Sequence, residues 1–373
     1  MREVVESATR SRGVLGVVQV GLGSWGRCWA EVVSDAEGLE LVAVVDPAPG
    51  SHLFAEEALG LSPQSCHTSL GEALEKTGCD CVLVVTPPGT HHGLVAQALG
   101  AGKHVLVEKP LDVTLRGARV LVELANRAGR VLMVNQNYRF NAPFRAAQEL
   151  VRGGALGRLV GVRIGCRRDT RTLFPPGDFR YSMRHPYAVD MAVHHLDLLR
   201  AMTGREVRRI HGRSWRAPDS PFRHHPAVAA LIDLEDGTPV VYEGTWAHRG
   251  PETSWNGEWE IVGEAGRMLW NGAKDDRNVG EVIREPWGEP PRAVEQPRLD
   301  LTERAAVLQA LIAAIARGEE PETGASDNLG SLAAMLGLVE SIESGAQVEV
   351  ERCTQTVGRA PTNPRGREQE RRT

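Results

Sequence analysis

Three side chains suited to proton transfer lie in two short segments of the sequence. Lys109 follows an apolar run in Glu108-Lys109-Pro110, and Asp190 and His194 lie four residues apart in VDMAVHHLDLLRAM. On a helix, this spacing puts two residues on one face. Histidine titrates near neutral pH, and lysine can donate hydrogen bonds to a substrate oxygen. The set suits acid–base chemistry at an oxygen atom, although each part has an ordinary alternative, a solvated lysine and a structural His–Asp pair.

A second motif has the chemistry of a dinucleotide site. Gly21-Leu-Gly23-Ser-Trp-Gly26 directly follows an apolar run, and Asp46 ends the next run twenty residues after Gly26. Such glycines allow backbone N–H groups and a helix N-terminus to approach a diphosphate, and the acid accepts bonds from the ribose. The alternative is a glycine-rich turn with a capping Asp. Because Pro47-Ala48-Pro49 offers no cation for a 2′-phosphate, we expect NAD rather than NADP.

Five apolar runs supply the elements that would carry these motifs. Their β-branched composition is typical of strands buried on both faces, hence of a parallel sheet covered by helices. The spacing Ser69-Leu-Gly-Glu72 predicts the start of a helix between the second and third runs. A doubly wound α/β domain is therefore expected. The runs are residues 14–20, 41–46, 81–86, 103–108 and 131–136.

After about residue 138 the pattern changes to alternating strands with turn residues between them. This predicts an open, mostly antiparallel sheet with one face covered by helices near 141–152, 188–203, 302–317 and 326–344, and a last strand near 347–351. We expect an α/β protein with a Rossmann domain at 13–137 and an α/β domain for substrate binding and oligomerisation at 138–351. Residues 1–12 and 352–373 are expected to be flexible tails.

Composition excludes several classes of protein. The chain has 373 residues and a net charge of −5, so neither nucleic acid nor a membrane surface is an expected partner. No apolar run approaches the roughly 18 residues of a membrane span, and the polar N-terminus is unlike a signal peptide. Six cysteines without a CxxC motif fit a cytoplasmic protein. No HExxH motif or Cys cluster suggests a metal.

Other polar residues have weaker signals. His91 begins a helix after the third run and could contact a cofactor, cap the helix or lie on the surface. His195 points about 100° away from His194 on a helix and is expected to pack in the core. Five arginines lie within eighteen residues of a predicted loop and could bind an acidic substrate, although a solvated loop is the better interpretation. They are Arg167, Arg168, Arg171, Arg180 and Arg184.

The chain resembles the glucose–fructose oxidoreductase / inositol dehydrogenase (Gfo/Idh/MocA) family. The resemblance rests on GLGSWG (21–26), VVD (44–46), TPPGTHH (86–92), AGKHVLVEKPL (101–111), NQNYRFNAP (135–143), DMAVHHLD (190–197) and the segment 324–345. It implies that Lys109, Asp190 and His194 meet at the nicotinamide, with a possible cis bond before Pro110. The implied cofactor-binding residues are Gly21, Gly23, Ser24, Trp25, Gly26, Asp46, Thr86, Pro87, His91, Glu108 and Lys109.

The expected function is an NAD(P)-dependent oxidoreductase that transfers a hydride between nicotinamide and a secondary hydroxyl or ketone of a sugar, glycoside or cyclitol. His194 would be the acid–base group, Lys109 would stabilise the alkoxide, and Asp190 would bind a neighbouring hydroxyl. Tyr138 and Arg139 are candidate substrate contacts. Three alternatives stay open: an NAD-dependent glycosidase with transient oxidation, a non-catalytic dinucleotide-binding regulator, and a reductase of an imine or enzyme-bound intermediate.

Bulky residues in the second half suggest self-association. The predicted strands expose large side chains on both faces of the sheet, namely those of Tyr242, Trp246, Trp259 and Trp270. Uncovered aromatic surface tends to become an interface. The sequence therefore predicts a homodimer or homotetramer.

Overall fold

The computed structural model describes residues 13–272 and 280–353. The expected tail 1–12 lies outside this part of the chain, as does nearly all of the expected tail 352–373. The first sheet contains β1 Leu15–Val20, β2 Leu39–Val45, β3 Cys66–His67, β4 Cys81–Val84, β5 His104–Val107 and β6 Leu132–Val134. All five predicted apolar runs are strands, whereas the two-residue β3 was not anticipated.

The first sheet is parallel, with strand order β3-β2-β1-β4-β5-β6. In such a sheet the order reverses between β1 and β4, and ligands bind at the carboxyl ends of the strands there. The glycine motif follows β1 and Thr86 follows β4, so both lie at this crevice. The connecting helices are α1 Ser24–Ser34, α2 Pro49–Leu59, α3 Leu70–Lys76, α4 His91–Gly100 and α5 Leu115–Ala128.

Both faces of the parallel sheet are covered. Val18 lies in one hydrophobic core with Leu99 of α4, whereas Val17 lies in another with Trp29 of α1. This confirms the doubly wound arrangement expected from continuous apolar runs, because successive strand residues point to opposite faces. Ser69 caps α3 by accepting a hydrogen bond from the Glu72 backbone N–H, as the capping spacing predicted.

The second sheet has nine strands and is mostly antiparallel. They are β7 Leu159–Arg167, β8 Val207–Trp215, β9 Ala227–Leu234, β10 Pro239–Thr245, β11 Glu258–Gly263, β12 Gly266–Trp270, β13 Val282–Pro286, β14 Arg292–Ala293 and β15 Val348–Glu349. Their order is β14-β13-β12-β11-β7-β10-β9-β8-β15, and β7 with β10 is a parallel pair. The remaining helices are α6 Ala142–Arg152, α7 Val193–Thr203, α8 Glu303–Arg317 and α9 Ala325–Ser344.

The aromatic residues expected to be exposed are instead buried. Tyr242 and Trp270 are 0% exposed, and Trp246 and Trp259 are 2% exposed. His195 of α7 packs against Tyr242 and Trp259, and Trp270 lies opposite Trp259 in the sheet. Trp246 packs against Phe174, Tyr187 and Phe222. The exposure from which self-association was predicted is therefore wrong. The outer face exposes a different pair, Leu231 of β9 and Val241 of β10, which lie opposite each other.

Helix α8 returns to the first sheet. Its residues Val307, Leu308 and Leu311 share a core with Val17 and Trp29. The domain bounds 13–137 and 138–351 stay a prediction, and α8, although it lies in the second range, packs on the first domain. Within residues 13–272 and 280–353, no helix has the length and apolar character needed to cross a membrane.

Candidate active site

The glycine turn after β1 has the shape of a diphosphate cradle. Gly21 has φ +100°, and a Cβ there would lie 2.1 Å from the Val85 carbonyl oxygen. A Cβ on Gly26 would lie 2.2 Å from the Gly21 carbonyl oxygen, so helix α1 and the turn pack too closely for any side chain. A Cβ on Gly23 meets no atom within 4 Å, so the turn is open at that point. These residues fit a dinucleotide at the α1 N-terminus.

Asp46 ends β2 beside this turn. One carboxylate oxygen accepts from the Leu22 backbone N–H at 2.8 Å, and the other accepts from Ala48 N–H at 2.8 Å. Each oxygen keeps a lone pair for a ribose hydroxyl. The fold also brings a cation close to Asp46. Arg27 donates to the carbonyl of Leu22, the residue whose N–H binds Asp46, and the Arg27 guanidinium carbon lies 4.8 Å from the Phe54 ring centroid. The expectation that no cation lies near Asp46 is therefore true of residues 47–49 but not of the folded protein.

Glu108 is occupied by other protein groups. Its Oε1 accepts hydrogen bonds from Trp25 Nε1 at 2.8 Å, Trp29 Nε1 at 2.7 Å and Asn135 Nδ2 at 2.8 Å. Its Oε2 accepts from the Lys109 backbone N–H at 3.2 Å. This carboxylate therefore positions the glycine turn through Trp25, and a direct contact of Glu108 with the cofactor stays a prediction. The Trp25 ring itself is 46% exposed.

Lys109, Asp190 and Arg180 form a charged cluster at the carboxyl end of β5. Lys109 Nζ donates to Asp190 Oδ1 at 2.5 Å and to the Asp190 carbonyl at 2.6 Å. Arg180 Nε donates to the other carboxylate oxygen at 2.7 Å. Burial by itself raises the pKa of Asp190, but the charges of Lys109 and Arg180 outweigh it and hold that pKa well below its usual range. The peptide bond before Pro110 is cis.

His194 lies beside this cluster as a neutral imidazole. Burial, and then the charge of Lys109, lower the pKa of His194 well below 6.5. With Gln136 oriented as in the structure, Nδ1 donates to Gln136 Oε1 at 3.1 Å, which leaves Nε2 as the acceptor. The Tyr138 ring stacks on the imidazole with a centroid distance of 4.4 Å. His194 is therefore held in a form that can accept a proton at Nε2.

His91 and His195 have structural positions. The two ring nitrogens of His91 lie 2.8 Å from the backbone carbonyl oxygens of Pro110 and Thr86, and the one that carries the proton donates. The expected surface position of His91 is corrected because the residue is fully buried, whereas a cofactor contact stays a prediction. His195 lies between the Tyr242 hydroxyl at 2.8 Å and the Trp255 carbonyl at 2.9 Å, and burial lowers its pKa to about 4. Its predicted packing role is confirmed.

The Arg139 guanidinium is held by two carboxylates. It donates to both oxygens of Asp197, at 2.7 and 2.6 Å, and to Asp327 at 2.7 Å. Burial acts to lower the pKa of Arg139, but these two carboxylates outweigh it and raise the pKa above its usual value. These ion pairs join the 3₁₀ turn after β6 to α7 and α9, and a substrate contact of Arg139 stays a prediction.

The remaining candidates are compatible with a ligand. Ser24, Thr86 and Pro87 are at least partly exposed next to the glycine turn, and Thr86 Oγ1 lies 2.6 Å from Thr90 Oγ1. Tyr138 is half-buried against His194. Among the described residues, no group of three or more His, Cys, Asp or Glu could hold a metal ion.

Comparison with known protein families identifies both halves of the chain. Residues 15–136 match the oxidoreductase family described as having an NAD-binding Rossmann fold. Residues 144–269 match the GFO/IDH/MocA C-terminal domain. The chain belongs to the GFO/IDH/MocA oxidoreductase family. The resemblance drawn from the motifs is confirmed, and the first domain binds a nicotinamide dinucleotide.

Relatives within the GFO/IDH/MocA family match nearly end to end. The chain is 26% identical over 340 residues to 1,5-anhydro-D-fructose reductase from Ensifer adhaerens, which spans 89% of this chain and 97% of that protein. It is 25% identical over 337 residues to inositol 2-dehydrogenase from Rhizobium meliloti, at 89% and 98% coverage. An oxidoreductase from Agrobacterium radiobacter, crystallised with NAD⁺, L-tartaric acid and magnesium, shares the fold with TM-score 0.79, 20% identity and coverage of 90% and 98%.

Sequence reasoning missed two residues of this GFO/IDH/MocA site. The Gln136 side-chain amide lies 3.1 Å from His194 Nδ1, and Arg180 donates to the second oxygen of Asp190. Gln136 lies inside the NQNYRFNAP motif, but nothing in the sequence marked it as a residue of the site. Arg180 was one of five clustered arginines, of which Arg167, Arg171 and Arg184 pair with nearby carboxylates instead.

Proposed function

We propose that the protein is a cytoplasmic NAD(P)-dependent dehydrogenase or reductase that acts on a CH–OH group of a sugar, glycoside or cyclitol. The observation that carries this proposal is the contact of Lys109 and Asp190 beside neutral His194, at the sheet edge that also carries the glycine turn. The relatives named as reductase and inositol dehydrogenase act on this class of substrate. Six free cysteines are consistent with a reducing compartment.

His194 and Lys109 have different roles at the substrate oxygen. A bound nicotinamide supplies the hydride acceptor or donor. His194 takes the hydroxyl proton at Nε2. Two donors of Lys109 Nζ are used by Asp190, so the third N–H is available to stabilise the developing alkoxide. Because Lys109 donates to one Asp190 oxygen and Arg180 to the other, we propose that Asp190 acts mainly by orienting Lys109.

Assays of a panel of inositols, aldoses and glycosides with NAD and NADP test this function. We expect reduced nicotinamide to accumulate, measured by its absorbance, with at least one cyclitol or sugar. Release of free sugar from a glycoside without net cofactor reduction would favour the NAD-dependent glycosidase. Cofactor binding without turnover of any alcohol, ketone or imine would favour the non-catalytic regulator, and reduction of imines alone would favour the biosynthetic reductase.

We propose that NAD is preferred over NADP because the Asp46 carboxylate repels a 2′-phosphate. Asp46→Asn removes this charge and leaves Arg27 near the same position. The ratio of NADP to NAD affinity should rise about tenfold, equivalent to ~1.4 kcal/mol. Titration calorimetry with both cofactors measures it. Asp35→Asn on the exposed end of α1 is the control, and tighter binding of NADP than NAD by the unaltered protein would contradict the proposal.

We propose that the protein is a homodimer or homotetramer, joined through the outer face of the second sheet. Leu231 and Val241 are 63% and 48% exposed there and lie opposite each other. Leu231→Glu should convert the assembly to a monomer by placing a charge in the interface. Light scattering at micromolar concentration measures the mass. Val120→Glu on α5 is the control, and a monomeric unaltered protein would refute the proposal.

A further inference from the structure

Helix α8 carries a cation to the glycine turn. Arg304, the second residue of α8, has its guanidinium carbon 4.5 Å from the Trp25 ring centroid and 5.8 Å from that of Trp29. Trp25 is the fifth residue of the GLGSWG motif, and its indole is fixed by Glu108. Arg304 lies 279 positions further along the chain. Packing of α8 on the first domain therefore places a positive charge on the indole of Trp25, two residues after Gly23 in the glycine turn.

No carboxylate within residues 13–272 and 280–353 forms an ion pair with this cation. In the part of the chain that the structure describes, Arg304 has only the two indole faces as partners, and its Nη1 is buried without a hydrogen-bond acceptor. The adjacent carboxylate of Glu303 is taken by Asn137 at 2.7 Å and Asn141 at 3.2 Å. Leaving a partly buried guanidinium unpaired costs free energy, and cation–π contacts offset only part of that cost.

An anion at this position would complete the arrangement. The α1 N-terminus and the glycine turn favour a diphosphate, and a guanidinium binds phosphate oxygens through paired N–H donors. Stacking on Trp25 limits the rotamers of Arg304, so less side-chain entropy is lost on binding. We propose that Arg304 is a ligand of the dinucleotide diphosphate, donated by α8 to the glycine turn. This inference rests on the proposed use of a nicotinamide dinucleotide.

Titration calorimetry of the full-length protein tests this assignment with three probes. NAD and ADP-ribose contain the diphosphate, whereas adenosine does not. Arg304→Gln should weaken the binding of NAD and of ADP-ribose by about tenfold to a hundredfold, the scale of one charge-assisted hydrogen-bonding group. Adenosine affinity should not change. Arg304→Lys keeps the positive charge but loses the planar guanidinium. Its affinity for NAD and ADP-ribose should lie between that of the unaltered protein and that of Arg304→Gln. Arg317→Gln at the other end of α8 is the matched control.

Thermal unfolding without ligand distinguishes a binding role from a structural one. If the only role of Arg304 is to join α8 to Trp25, Arg304→Gln should lower the midpoint temperature of thermal unfolding without ligand. A ligand role predicts an unchanged or higher midpoint without NAD and a smaller stabilisation by NAD. The inference is overturned if Arg304→Gln binds NAD as tightly as Arg317→Gln does, or weakens adenosine equally. If the unaltered protein binds none of NAD, NADP and ADP-ribose, the proposed function fails with it.

Discussion

Lys109→Ala should lower kcat by about 10²–10⁴-fold while NAD affinity stays within a few-fold. The ammonium uses two donors on Asp190, and its third donor is the group that we propose for the substrate oxygen. Its loss removes stabilisation that exists only as alkoxide charge develops, so kcat falls more than KM changes. Initial rates with the best substrate of the panel, and NAD titration in parallel, measure both quantities.

The control for Lys109 is a lysine in a surface ion pair. Lys76→Ala removes a contact with Glu72 on α3 and should leave both kcat and NAD affinity unchanged, because such pairs contribute little to stability. Asp190 keeps Arg180 as a partner in the Lys109 variant, so the fold should survive. If NAD affinity falls as much as kcat, Lys109 is a cofactor ligand and the assignment to the alkoxide is wrong.

His194→Ala should lose about 10²–10⁴-fold in turnover, the usual scale for one acid–base group. NAD affinity should again stay within a few-fold, because the proposed cofactor contacts are the glycine turn and Asp46. His211→Ala, on an exposed position of β8, is the control for loss of an imidazole. Near-normal turnover of His194→Ala would show that another group moves the proton, and Lys109 would then be the next candidate.

The pH profile gives a second test of His194. Its lowered pKa means that the neutral, proton-accepting form is present throughout the range above about 6.5, the ordinary value for histidine. For substrate oxidation, the acid limb of kcat/KM should therefore lie well below pH 6.5 rather than near it. Rates measured from neutral to acidic pH, in the range where the protein stays folded, locate this limb. A limb near pH 6.5 would indicate a solvated histidine as the base.

Local patterns in the sequence were sufficient for the first domain. The apolar runs predicted five of the six strands of the parallel sheet, because strands buried on both faces must be continuously apolar. The Ser69 cap depends on a contact three residues away, which spacing reveals directly. The glycine motif likewise follows from short-range requirements: Gly21 has a positive φ, and Gly26 packs against its carbonyl oxygen.

Only the tertiary structure decided which side chains are free to act. Arg139 looked available, but Asp197 and Asp327 are 58 and 188 residues away in the chain and occupy its guanidinium. The alternation of apolar and polar residues in the second sheet defines two faces but does not show which of them the helices cover. The aromatic residues were therefore assigned to an exposed surface. Arg304 reaches Trp25 only because α8 packs back on the first domain. Spacing constrains neighbours along the chain, whereas counter-ions and covered faces are set by packing between distant segments.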